Sequence, residues 1–147
     1  MFGVNEGRAE CYEGFMGNCE ENVRFVVAGV VLGLEQLHGL GVVYKGINLE
    51  NVGVLGNGYP VLTNFGHVGA INQKELLSQG HSFTSPEEIR GDAISPMTDF
   101  WALGVLIHYL CRGTFIDYLT FREREFDGER WSHQLVDFVN RLLLMRP

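Results

Sequence analysis

Ser95-Pro96-Met97-Thr98-Asp99-Phe100-Trp101-Ala102-Leu103-Gly104-Val105-Leu106-Ile107-His108 is the stretch that decides the fold. A serine followed by proline is a helix start, because serine caps the open N–H groups and proline suits the first helical position. From Phe100 onward nearly every residue is apolar, whichever way the helix is turned. A surface helix keeps one apolar stripe, so a helix that is apolar all round is predicted to lie enclosed at the centre of a domain. Arg112-Gly113 supplies the C-terminal stop. Asp99 stands at the opening of this helix, and a buried carboxylate persists only if paired or hydrogen-bonded. It is therefore expected to be paired or hydrogen-bonded. His108, within the apolar run, reads as a satisfied core histidine, and His38 as another core or surface histidine, neither as a metal ligand.

Working outward, Asn18-Cys19-Glu20-Glu21 predicts a second helix, with Asn18 as N-cap and Glu21 completing a capping box. It runs to about Leu40, with Phe25, Val26, Val30, Leu34 and Leu37 on one stripe. Gly29 and Gly33 lie in its interior. Each costs about 1 kcal/mol against alanine, so another stretch of backbone is expected to pack close there. A third helix, from Ser132 to about Met145, carries Leu135, Val136, Phe138, Val139, Leu142 and Leu143. Short β-branched pieces lie between the first two: Val42-Val43-Tyr44, residues 52–55 and Val61-Leu62-Thr63. Asn57-Gly58 predicts a type I′ hairpin turn with positive φ at both positions. Residues 65–85 show no periodicity and read as a long irregular segment. The expected fold is mainly α, a buried central helix with one small β-hairpin.

Bulk properties narrow the possibilities. A chain of 147 residues with 46% hydrophobic and 20% charged residues makes one globular domain over 1–147 and excludes a disordered chain. A net charge of -7 repels phosphate backbones, which argues against nucleic acid and anionic membrane as partners. Cys11, Cys19 and Cys111 form no CxxC pair, so neither a disulfide framework nor a zinc site is expected. Reduced thiols and a start without a signal-peptide pattern imply a cytoplasmic chain. Every apolar run is shorter than the roughly 20 residues that cross a bilayer.

Five short words in order carry a resemblance. Leu32-Gly33-Leu34-Glu35-Gln36-Leu37-His38 precedes Gly41-Val42-Val43-Tyr44; then come Tyr44-Lys45-Gly46-Ile47-Asn48-Leu49-Glu50-Asn51, Asn64-Phe65-Gly66, Ser85-Pro86-Glu87 and Asp99-Phe100-Trp101-Ala102-Leu103-Gly104-Val105. Together they resemble the large, C-terminal lobe of eukaryotic protein kinases, most of all the AGC group that includes the cyclic-nucleotide-dependent kinases. The second word sits where that family has (His/Tyr)-Arg-Asp-Leu-Lys-Pro-Glu-Asn, the third where it has Asp-Phe-Gly, the fourth where it has Ala-Pro-Glu. The resemblance implies a single C-lobe without an N-lobe, with residues 1–6 at the hinge and Pro147 closing the last helix.

Phosphoryl transfer runs on positioning and charge: a carboxylate base, carboxylate-held magnesium and cations on the phosphates. By the resemblance, the catalytic aspartate is replaced by Gly46, the catalytic-loop lysine by Asn48 and the metal-binding aspartate by Asn64. Asn51, the second metal ligand, is retained, so Asn51 and Asn64 would be a vestigial nucleotide site and no metal site is expected. Gly53 replaces the side chain that would lie under adenine. Asp92 or Glu50 offers a substitute base, set against three simultaneous losses. Tyr44, Phe65, Glu87, Asp99 and Trp101 are the structural positions kept: Tyr44 and Phe65 in a stacked apolar column, Asp99 holding the loop. Glu87 is expected to be unpaired, or to borrow Arg141 or Arg146. Ser78, Ser82 and Thr84 fall where kinases are phosphorylated, but the run to Glu87 is one residue short. Phe121-Arg122-Glu123-Arg124-Glu125 reads as a solvated face.

The implied function is a catalytically inactive, pseudokinase-type module acting in protein–protein interaction or regulation, not an enzyme. Its expected partner is another protein or a second copy, bound through the surface that an N-lobe covers in the family. No cofactor is expected, neither ATP nor magnesium. The alternatives are an ATP-binding Ser/Thr kinase fragment needing a separate N-lobe, a nucleotide sensor, and a degenerate duplicate without its own function.

Overall fold

A computed structural model of the chain describes residues 19–74, 82–113 and 130–144. The hinge expected at 1–6, Asn18, Ser78, the charged face at 121–125 and residues 145–147 lie outside them. Helix α1 spans Glu20–Gly39, and its N-cap is Cys19, whose side chain caps nothing. The capping box expected of Asn18 and Glu21 is thus replaced by a start one residue later. Glu20 accounts for the difference: its carboxylate accepts the Ser132 N–H at 2.8 Å and the Ser132 hydroxyl, tying the helix start to a distant segment.

Val23, Val26, Val27, Val30 and Leu34 form the buried face of α1. Phe25 does not join them and is 47% exposed. It lies at the edge of the stripe, and its ring instead leans on Tyr59, centroids 5.9 Å apart. The interior glycines are explained by a close approach, but from side chains rather than backbone. A methyl group on Gly33 would lie 2.9 Å from Leu62 Cδ1, and one on Gly29 would run into the Pro60 ring.

Leu62 and Pro60 belong to β3 (Pro60–Leu62), which pairs antiparallel with β2 (Val52–Val54), Val52 opposite Leu62 and Val54 opposite Pro60. The predicted hairpin therefore exists, with a different turn. Only Gly58 of the Asn57-Gly58 pair has positive φ (+88°), and its N–H donates to Leu55 O at 2.8 Å. The loop has one residue more than a two-residue type I′ turn, so a single left-handed glycine closes it. β1 (Val42–Val43) pairs with β4 (Gly69–Ala70), a second two-stranded sheet within the stretch read as irregular. Strands of two residues are too short to show a period. A 3₁₀ turn over Phe65–His67 precedes β4, and a short helix α2 (Pro86–Arg90) follows, capped reciprocally by Ser85 and Glu88.

Helix α3 (Pro96–Arg112) is the enclosed helix the sequence predicted. Ser95 caps it, Gly113 ends it at φ +72°, and Thr98, Asp99, Trp101, Leu103, Val105, Leu106 and Ile107 are among its buried residues. α1, β1 and α4 (His133–Leu142) pack against it. Gly104 lets α4 approach, since a methyl group there would lie 2.8 Å from Leu143 Cδ2. Leu135, Val139 and Leu143 bury against this seam, whereas Phe138 of the predicted stripe stays 39% exposed. The architecture is mainly α, with two small two-stranded sheets in place of one hairpin.

Candidate functional site

The segment from Tyr44 to Asn51 leaves β1 and is suspended from the first turn of α3. Asp99, fully buried, accepts the Tyr44 N–H at 2.8 Å on Oδ2 and the Lys45 N–H at 2.7 Å on Oδ1. His38 Nε2 lies 2.8 Å from the same Oδ2, and the His38 ring meets Phe100 edge-on at 5.4 Å. The carboxylate also sits at the positive end of the α3 dipole. Lys45 takes a left-handed φ of 58°, a costly conformation for a side-chain-bearing residue that these bonds hold in place. Asp99 thus does what the sequence asked of it, and His38 is the satisfied histidine expected.

Tyr44 is enclosed, its hydroxyl donates to the Thr63 carbonyl, and its ring meets Phe65 at 5.5 Å and 65°. Burial, with the Asp99 charge adding to it, pushes the phenol up to about 12, so it is a neutral donor at ordinary pH. Phe65 corrects the picture of a closed apolar column. It touches Tyr44 with one edge while 51% of it faces solvent.

Four positions bear on the chemistry. Gly46 offers only its carbonyl, which accepts from Asn51 Nδ2 at 2.8 Å. The Asn48 side chain turns back on its own backbone, its Oδ1 accepting the N–H groups of Glu50 and Asn51, each at 2.9 Å. That local turn is a common use of asparagine, and it could have been read from Asn48 at the head of a loop. Asn64, left-handed at φ 57°, donates its Nδ2 to Asn51 Oδ1 at 3.2 Å. The structure therefore does bring Gly46, Asn48, Asn51 and Asn64 together, in a run of neutral hydrogen bonds. An amide oxygen brings no negative charge to a cation, and magnesium favours carboxylates and phosphates. At Gly53, a methyl group would have Val61 Cγ1 at 3.7 Å, an ordinary contact.

Glu87 and Trp101 lie elsewhere, around a cleft of about 750 Å³ shared with Pro86, Met97 and Arg141. Glu87 is neither unpaired nor joined to Arg141: its Oε1 accepts from the Thr98 hydroxyl at 3.1 Å. Arg141 is engaged one turn back on its own helix, with Asp137 at 2.8 Å. Asp92, considered as a substitute base, pairs with Arg90 at 2.8 Å at the surface. Among the described residues, no three His, Cys, Asp or Glu side chains come together as a metal-holding group, and no helix is long and apolar enough to cross a membrane.

The protein kinase domain matches residues 9–142. The chain belongs to the protein kinase family. Over 102 residues it is 30% identical to the cGMP-dependent protein kinase, isozyme 1, of Drosophila melanogaster, covering 67% of this chain and 13% of that one. It is 28% identical over 146 residues to a putative 3-phosphoinositide-dependent protein kinase 2 of Homo sapiens, covering 88% and 37%. A probable cAMP-dependent protein kinase catalytic subunit of Encephalitozoon cuniculi is 29% identical over 97 residues, covering 64% and 30%. These relatives place the chain beside the AGC-group kinases, as its motifs implied. The chain spans no more than 37% of the length of these relatives.

Proposed function

We propose that this kinase-family chain is a catalytically inactive module of the cytoplasm that acts by binding a protein, either another chain or a second copy. The observation that carries the reading is the run of neutral amides at the site. Asn64 donates to Asn51, Asn51 donates to the Gly46 carbonyl, Asn48 engages its own loop, and Gly46 presents no proton acceptor beyond its carbonyl. Phosphoryl transfer depends on charge held at fixed points, and catalytic groups act as a unit, so losing several together removes most of the rate. The framework supports a binding role, because the Asp99 network keeps the loop in a defined shape without the chemistry. Phe65 and Val68, 51% and 41% exposed, give the neighbouring surface an apolar character suited to a protein contact.

Thermal unfolding with and without millimolar ATP and magnesium tests this. A ligand that binds the native state at 100 times its dissociation constant adds about 2.7 kcal/mol and raises the midpoint. The reading expects an unchanged midpoint in a cooperative transition. A magnesium-dependent rise would overturn it in favour of a nucleotide-binding site or a kinase fragment awaiting its small lobe.

A further inference from the structure

We propose that the outward face of α1 is a self-association surface, on which a second copy of this chain packs antiparallel with Phe25 of each copy against Leu32 of the other. The proposal rests on the reading of a protein-binding module and deepens it, by naming the occupant and its register.

The core side of α1 carries Val23, Val26, Val30 and Leu34. At about 100° per residue, the line on the opposite side carries Glu21, Phe25, Ala28, Leu32 and Gln36. All of these are exposed, and Leu32 stands at 62%. A surface helix ordinarily turns polar residues to that side. Here the middle of the line is apolar and only its ends are polar. Tyr59, itself exposed, stands against Phe25 from the β2–β3 hairpin and widens the apolar strip. A strip that is apolar at its centre and polar at its rim has the anatomy of a protein contact.

What selects a second copy is that this line is complementary to itself when reversed. A two-fold axis between Ala28 and Gly29 sets residues equally far from it against one another. Phe25 then faces Leu32, Glu21 faces Gln36, and Glu35 faces Asn22. Both carboxylates of the face therefore meet an amide that can donate to them, and neither meets another carboxylate. The residues at the crossing, Ala28 and Gly29, are small enough for the two helices to come near. The parallel arrangement does the reverse. It sets Glu21 against Glu21 and Glu35 against Glu35, in a chain whose net charge is already -7.

Sedimentation velocity of the full chain, without nucleotide, across roughly 1–100 μM tests the surface. A monomer–dimer equilibrium is expected within that range. Phe25→Lys and Leu32→Glu are each expected to weaken the dimer by about tenfold or more. Both side chains face solvent, so each variant should keep a thermal midpoint within about 3 °C of the parent. Mixing the two variants is expected to restore the dimer, because the new ammonium of one chain faces the new carboxylate of the other. Ile89→Glu, at an exposed apolar residue of α2, is expected to leave association unchanged. A monomer at the highest concentration, a dimer that neither variant weakens, one that Ile89→Glu weakens as much, or no gain on mixing would overturn the proposal. Should either variant fail to fold, Gln36→Lys decides, since it sets an ammonium opposite Glu21. A dimer tightened about threefold or more supports the proposal, and an unchanged one sinks it. A chain that stays monomeric and ignores ATP and magnesium fails this test alone, and a module for another protein still stands. A magnesium-dependent rise in midpoint fails the non-catalytic reading whatever sedimentation shows.

Discussion

At its start, the segment from Tyr44 to Asn51 hangs from a carboxylate; at its far end, two amides close it. Asp99 is stripped of water, yet its oxygens are filled by two main-chain N–H groups and a histidine at 2.7–2.8 Å. Asn51 and Asn64 carry no charge and are joined at 3.2 Å. The difference teaches where a chain of this family holds its charge. A buried carboxylate with a full set of donors is architecture, and removing it leaves the donors stranded. At the other end a charge would have to face a ligand, and neutral side chains that satisfy one another stand there instead.

The largest effect that can break this comparison is at Asp99. Asp99→Ala leaves the Tyr44 and Lys45 N–H groups and His38 without their acceptor, and should cost about 3–5 kcal/mol in denaturant unfolding. A loss below about 1 kcal/mol would mean that the loop does not depend on that anchor.

Glu20 sharpens the comparison, because it also joins distant segments but stays partly solvated. Burial raises its carboxyl, yet the hydrogen bonds from Ser132 and the Arg24 guanidinium outweigh that and leave it below the ordinary 4.5. A depressed folded value contributes stability above pH 4.5, which is lost as pH falls through the depressed value. Glu20→Gln should therefore cost under about 1 kcal/mol at pH 7 and progressively less as the carboxylate protonates. Equal losses at pH 7 and at pH 3 would contradict this. The smallest effect belongs to Gly53→Ala, expected within about 0.5 kcal/mol of the parent in the same unfolding assay. A large loss there would mean that the hairpin has no room for a side chain at that position.

Much of this was legible in the sequence, for physical reasons that differ from element to element. The enclosed helix announced itself because Phe100 to Ile107 has no polar face to offer solvent. Gly29 and Gly33 announced a close approach, since glycine in a helix needs a reason, but not that Pro60 and Leu62 would be what approaches. The β1–β4 sheet was hidden because two-residue strands have no period, and the hairpin turn because Asn57-Gly58 fits more than one loop length. At the site, the neutral residues Gly46, Asn48, Asn51 and Asn64 could be read one by one. Their mutual satisfaction could not, because it depends on Asn64 being left-handed and on Thr63 receiving the Tyr44 hydroxyl, both set by tertiary packing. The Glu87 hydrogen bond was hidden for the same reason: its partner, Thr98, is eleven residues away in a different helix.

The enclosure of α3 has a consequence for motion. From Thr98 to Leu110 almost every side chain is buried, with α1, α4 and β1 packed against the helix. A helix gripped on all sides cannot rotate or slide by itself, and its amides exchange with solvent only when the whole lobe opens. Any rearrangement short of unfolding therefore falls to the surface segments, because the spine has no second position to move to.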